Sequence, residues 1–243
     1  MNIRISLVFI LSLITISGCT SIGSHILSNP RTYLLEAGLG SIEIDKFKTQ
    51  KRKFCDADNK ICTNYLYAKA YQPEDFSDDE KVNYTIDATS SGITNNFTFT
   101  SSVEDFNRVR GTAILFHGFG ASKEAMLVTS IYFRALGMDV IAFDLFGHGE
   151  SQSDFVFGAK EHELYTKILG DINANEAITK PIVTVGHSMG GVPAANVLSE
   201  SELVDGAILL APMIRFDQAA KLYLSYKSPM LNGVLSNDMD DIV

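Results

Sequence analysis

Hydrophobic positions along this chain fall into three successive patterns. Residues 5–16 form a nearly pure apolar run, preceded by a single cation, Arg4. From Ile42 to about Tyr71, and again from Val82 to Thr100, apolar and polar residues alternate, as in Asn96-Phe97-Thr98-Phe99-Thr100. That period of two predicts strands with one buried face, hence an antiparallel N-terminal region. After Gly111 the pattern becomes short apolar runs separated by helical stretches, which predicts strand–helix–strand units on a mostly parallel sheet with flanking helices. The predicted strands are 112–116, 139–143, 181–185 and 206–210. The predicted helices are 122–136, with Ser122 as cap, 160–178, and one starting near Gly191. Between the alternating runs, residues 73–80 are strongly acidic and read as a solvated loop.

Composition narrows the function classes. The chain has 243 residues, 46% of them hydrophobic, which suffices for one domain with a sizeable core. With 29 acidic and 20 basic residues its formal charge is −9, so a nucleic-acid partner is not expected. Three cysteines without H-E-x-x-H or paired C-x-x-C spacing give no reason to expect a metal, and no cofactor is implied.

The N-terminal run reads as a secretory signal, because a dozen apolar residues are fewer than the ~20 that span a bilayer as a helix. Its end, Ile16-Ser17-Gly18-Cys19, resembles the bacterial lipoprotein signal. The resemblance implies removal of residues 1–18, lipidation of Cys19 and a tether over 19–40, which leaves a domain over 41–243. The absence of an aspartate after Cys19 implies the outer membrane, facing the periplasm. Acyl chains, not basic residues, would then supply the membrane anchor. Export makes a disulfide between Cys55 and Cys62 plausible, across turn-forming residues between two strand-like runs.

Each predicted strand of the second half ends at a loop with chemical potential. Gly186-His187-Ser188-Met189-Gly190 lies between a buried strand and a helix. The sharp reversal requires small residues two positions either side of Ser188, and Gly186 and Gly190 supply them. Ser188 is the candidate nucleophile. His117-Gly118-Phe119-Gly120 follows another strand, and the amides of Phe119 and Met189 are the candidate oxyanion hole, with Gly118 allowing the approach. Asp144-Leu145-Phe146-Gly147-His148-Gly149-Glu150-Ser151 closes a third strand.

Together these loops resemble the α/β-hydrolase superfamily, within it the monoacylglycerol-lipase and serine-aminopeptidase group. The resemblance covers residues 111–213. It implies an α/β-hydrolase fold and an acyl-serine mechanism on a small-molecule ester, lipid or peptide. It also implies that His117, Asp144 and His148 brace loops.

The family order is serine, acid, histidine, yet the five histidines are His25, His117, His148, His162 and His187, none after Ser188. His187 is expected to point away from the serine hydroxyl. Asp217 is the one candidate for the acid. The reading is therefore of a hydrolase domain that stops in the cap region before its last strands, feeble or inactive as written, with an open sheet edge near Ile208. The alternative is a non-catalytic hydrolase-fold lipoprotein that binds an apolar ligand or an unidentified partner protein.

Overall fold

A computed structural model describes residues 48–56, 61–72, 81–90, 93–102, 109–176 and 178–219, with Pro30, Asp75 and Leu222 as isolated positions. The signal-like run 1–18, Cys19, the rest of the tether apart from Pro30, the run at 42–45, the acidic loop apart from Asp75, and the chain after 222 lie outside the described residues.

Six strands form the main sheet. β1 (Gln50–Cys55) and β2 (Cys62–Ala68) pair antiparallel, with Cys55 opposite Cys62 and the two joined by a disulfide. β3 (Lys81–Ser90) and β4 (Ile93–Ser102) form a separate two-stranded sheet. The remaining strands are β5 (Gly111–Phe116), β6 (Met138–Phe143), β7 (Ile182–His187) and β8 (Gly206–Leu210). The spatial order is β1-β2-β6-β5-β7-β8, with β2 antiparallel to β6 and the last four strands parallel. The antiparallel N-terminal region is thus divided, one hairpin extending the main sheet and the other standing as its own sheet.

Alternation along the central strands explains their continuous apolar sequence. Ala113 and Leu115 of β5 enter one core cluster with Leu127 and Phe133, whereas Ile114 and Phe116 enter another with Tyr165, Ile168 and Val197. Both faces are covered, so neither needs polar positions. The first face is packed by α1 (Leu127–Leu136), the second by α2 (His162–Glu176) and α3 (Gly191–Glu200).

One helix start differs from the sequence expectation. A 3-10 turn, Lys123–Met126, stands between Ser122 and α1. It moves the first α-helical amides away from Ser122, whose hydroxyl donates to Glu124 Oε2 at 2.7 Å instead of capping them. α2, His162–Glu176, lies within the expected span 160–178, and Glu161 just before it turns its side chain inward to loop amides. At the far edge, β8 has β7 as its neighbour among the described strands, and Ile208, Leu209 and Leu210 are 41%, 44% and 40% exposed.

Candidate active site

All three loops singled out from the sequence lie at the carboxyl ends of the parallel strands, where open α/β sheets place their ligands. At the end of β7 the chain turns through a short 3-10 segment, Ser188–Gly190, directly into α3. Ser188 occupies the left-handed region, with φ of 52°. This conformation costs an L-residue roughly 1–2 kcal/mol and is held only by the surrounding fold. The flanking glycines are sterically required. A Cβ on Gly186 would lie 2.3 Å from the carbonyl oxygen of Gly190, and one on Gly190 would lie 2.3 Å from that of Phe116. Pro193 is accommodated as the third residue of α3, where its missing amide is not needed.

The loop after β5 packs against this turn. A Cβ on Gly118 would meet Ser188 Cβ at 3.3 Å and His187 Nδ1 at 3.2 Å, so glycine lets the 117–120 backbone come alongside the serine. Phe119 and Met189 thereby flank Ser188 from the β5 loop and from the start of the helical turn. The segment after β8 is pinned to the same place, since Met213 N–H donates to the Ser188 carbonyl at 2.9 Å. These pieces enclose a cavity of about 490 Å³, within the range of small-molecule sites. Ser188 opens into it among Phe119, Met126, Leu210, Met213 and Phe216. His187 lines the cavity too.

The other described histidines are occupied. His117 Nε2 accepts the Leu145 N–H at 3.0 Å, while Nδ1 lies 2.7 Å from the Gly118 carbonyl. The ring is fully buried, and burial pushes its pKa down to about 4. His148 repeats the pattern, with Nε2 accepting Gly120 N–H at 3.1 Å and Nδ1 2.9 Å from the Phe146 carbonyl. Both rings thus act as neutral braces between loops. His162 bridges helices instead, with Nε2 2.9 Å from Glu200. Asp217 is bound by Arg215, whose Nε donates to Oδ1 at 2.8 Å and whose Nη2 contacts Oδ2.

Two charged groups that support the site escaped sequence reasoning. Lys123, 1% exposed, places Nζ 2.8 Å from both Asp144 Oδ2 and Glu150 Oε2 and 3.1 Å from Glu124. Burial disfavours its ammonium, but these carboxylates outweigh that effect and hold its pKa above the ordinary lysine value. Asp144 also accepts the amides of Lys123 and Glu150, both at 2.9 Å, so it ties the turn before α1 to the loop after β6. Glu161, also buried, accepts Phe146 N–H at 3.0 Å, Gly158 N–H at 3.1 Å and the Tyr165 hydroxyl at 2.6 Å. Burial nevertheless pushes its carboxyl up to about 7. Among the described residues no group of three or more His, Cys, Asp or Glu side chains is arranged to hold a metal ion.

A strand-to-helix serine turn on a mostly parallel, helix-flanked sheet defines an α/β hydrolase. The serine aminopeptidase S33 model matches residues 107–237, more than half of the chain, and the chain belongs to that family. It is 32% identical over 108 residues to a Mycoplasma pneumoniae protein assigned by name as an esterase/lipase, covering 44% of this chain and 40% of that protein. Among solved structures, an esterase of Pyrococcus furiosus superposes with a TM-score of 0.56 at 19% identity, covering 83% of this chain and 64% of the esterase. A second crystal form of that esterase gives 0.55 at 19% identity, with 81% and 66% covered. These structures share the fold, and the chain spans less than two thirds of each of these relatives.

Proposed function

We propose that the protein is an exported, lipid-anchored serine hydrolase that cleaves carboxylic esters through an acyl-Ser188 intermediate. The observation that carries this reading is the position of Ser188, held at positive φ on a strand-to-helix turn and opening into an apolar cavity beside the β5 loop. In this mechanism Ser188 Oγ attacks the ester carbonyl, and the amides of Phe119 and Met189 stabilise the oxyanion. Losing one such donor typically costs about 3–4 kcal/mol of transition-state stabilisation. The alcohol departs, and water then releases the acid from Ser188.

Esters suit the cavity better than peptides with a free amino terminus. No carboxylate is found among its described lining residues to hold an α-ammonium group. Membrane attachment through Cys19, and with it an outer-membrane, periplasm-facing location, is part of the proposal and rests on the Ile16-Ser17-Gly18-Cys19 sequence.

The general base is not His117, His148 or His162, whose Nε2 atoms are engaged elsewhere. That observation, with Asp217 committed to Arg215, favours a second reading, a hydrolase-fold lipoprotein that binds an apolar ligand or a protein without turning it over. Hydrolysis of p-nitrophenyl esters by the full chain, compared with its Ser188→Ala variant, separates the two. Turnover lost on substitution supports the hydrolase. Turnover identical in both proteins overturns it.

A further inference from the structure

Four phenylalanine rings from three separate segments meet at one side of the cavity. Phe119 comes from the loop after β5, Phe155 and Phe157 from the long loop after β6, and Phe216 from the segment after β8. The ring centroids of Phe155 and Phe157 are 4.3 Å apart, and those of Phe157 and Phe216 are 4.2 Å apart, the latter edge to face at 77°. Phe119 closes the circuit, 5.6 Å from Phe155 and 6.5 Å from Phe216. Edge-to-face and tilted pairs of this kind attract beyond the area they bury. Phe119 and Phe216 line the cavity, whereas Phe155 and Phe157 stand behind them.

Phe157 is held in an unfavourable backbone conformation, with φ of 55°. For a bulky side chain this is an outlier that persists only where surrounding contacts fix it. In this conformation its ring meets both Phe155 and Phe216. Ala121, Ala125 and Met126, small or pliant apolar side chains, also line the cavity. No Asp, Glu, Lys or Arg is present among the described lining residues. A cavity lined by Phe119, Phe216 and these small or pliant side chains suits an unbranched hydrocarbon chain.

We propose that Phe216 is a specificity-determining wall of the cavity and that Phe157 is a positioning residue holding it there, so that the cavity takes the hydrocarbon chain of a fatty acyl or alkyl group. The proposal rests on the reading of this cavity as the substrate pocket of Ser188, and its test does not depend on turnover. Phe157 acts through Phe216, so the two residues are energetically coupled and their effects are not additive.

The experiment titrates cis-parinaric acid, a fluorescent polyene fatty acid, into the full chain carrying Ser188→Ala. Saturable binding is expected. Adding Phe216→Ala should raise the Kd at least tenfold, and Phe216→Leu, which restores apolar bulk, should stay within threefold of the parent. Phe157→Ala should raise the Kd at least threefold, and the Phe157→Ala/Phe216→Ala double variant should bind no more weakly than Phe216→Ala alone. Thermal melts check that each variant is folded. If Phe157→Ala does not melt cooperatively, Phe157→Leu carries the same arm. Absence of saturable binding, a Phe216→Ala Kd within twofold of the parent, or a double variant whose effect equals the product of the singles overturns the proposal. Reactivity of Ser188 is measured separately on the native chain. Loss of reactivity with this coupling intact fails the hydrolase reading alone, and intact reactivity without the coupling fails the aromatic clasp alone.

Discussion

Lys123 Nζ lies 2.8 Å from Asp144 Oδ2 with both side chains buried, the lysine 1% and the aspartate 0% exposed. The two residues are 21 positions apart and fasten the turn before α1 to the loop that carries His148. Removing one member of a buried ion pair leaves the other charge without its partner, which typically destabilises by about 3–5 kcal/mol. Lys123→Met is therefore expected to lower stability by about 3 kcal/mol or more. Glu150→Gln removes a contact whose carboxylate side is 53% exposed, and should cost under about 1 kcal/mol. Urea denaturation of both variants checks the ranking, and equal midpoints would contradict it.

Two of the buried titratable groups near the site, Glu161 and His117, act on stability in opposite directions. Glu161 has a folded pKa of about 7 against an ordinary 4.5, so between those values the folded state keeps a proton that the unfolded state has lost. Its contribution to stability is full below about pH 4.5 and falls as pH rises to 7, by about 3 kcal/mol in total. His117, lowered from 6.5 to about 4, makes the unfolded state the better proton binder across that window, so its contribution rises with pH. Glu161→Gln removes the falling contribution of Glu161 and leaves the others in place, so the variant should gain on the wild type steadily from pH 5 to 7. Paired urea melts at several pH values measure that gain, and a constant difference would count against the buried carboxyl.

Strain at the elbow gives a prediction free of any catalytic assumption. Ser188→Ala keeps the left-handed backbone at φ of 52° and its penalty, whereas Ser188→Gly removes it. The glycine variant loses more chain entropy on folding, which offsets part of the relief. The net expectation is that Ser188→Gly melts higher than Ser188→Ala, by up to about 1 kcal/mol in stability. A lower melt for the glycine variant would show that the turn is not strained.

Much of the fold and the outline of the site could be read from local pattern. Residues 113–116 and 140–143 are apolar throughout because both faces of β5 and β6 are covered, and the glycines at 186 and 190 mark a turn too tight for a Cβ. What stayed hidden depends on pairing across long sequence distances. Lys123 reads as an ordinary solvated charge until Asp144 is placed against it, and Glu161 sits in the polar stretch Lys160-Glu161-His162-Glu163, which gives no sign that one carboxylate turns inward. The aromatic circuit is invisible for the same reason, since Phe119, Phe157 and Phe216 are widely spaced in the chain.

The most direct test of the central claim is covalent labelling of the native full chain with an alkyl fluorophosphonate, followed by mass spectrometry of its peptides. The account predicts a phosphonyl adduct on the peptide carrying Ser188, absent after Ser188→Ala and after prior heat denaturation. A folded chain that acquires no adduct at Ser188 would contradict it, and would turn attention from turnover to what the apolar cavity binds.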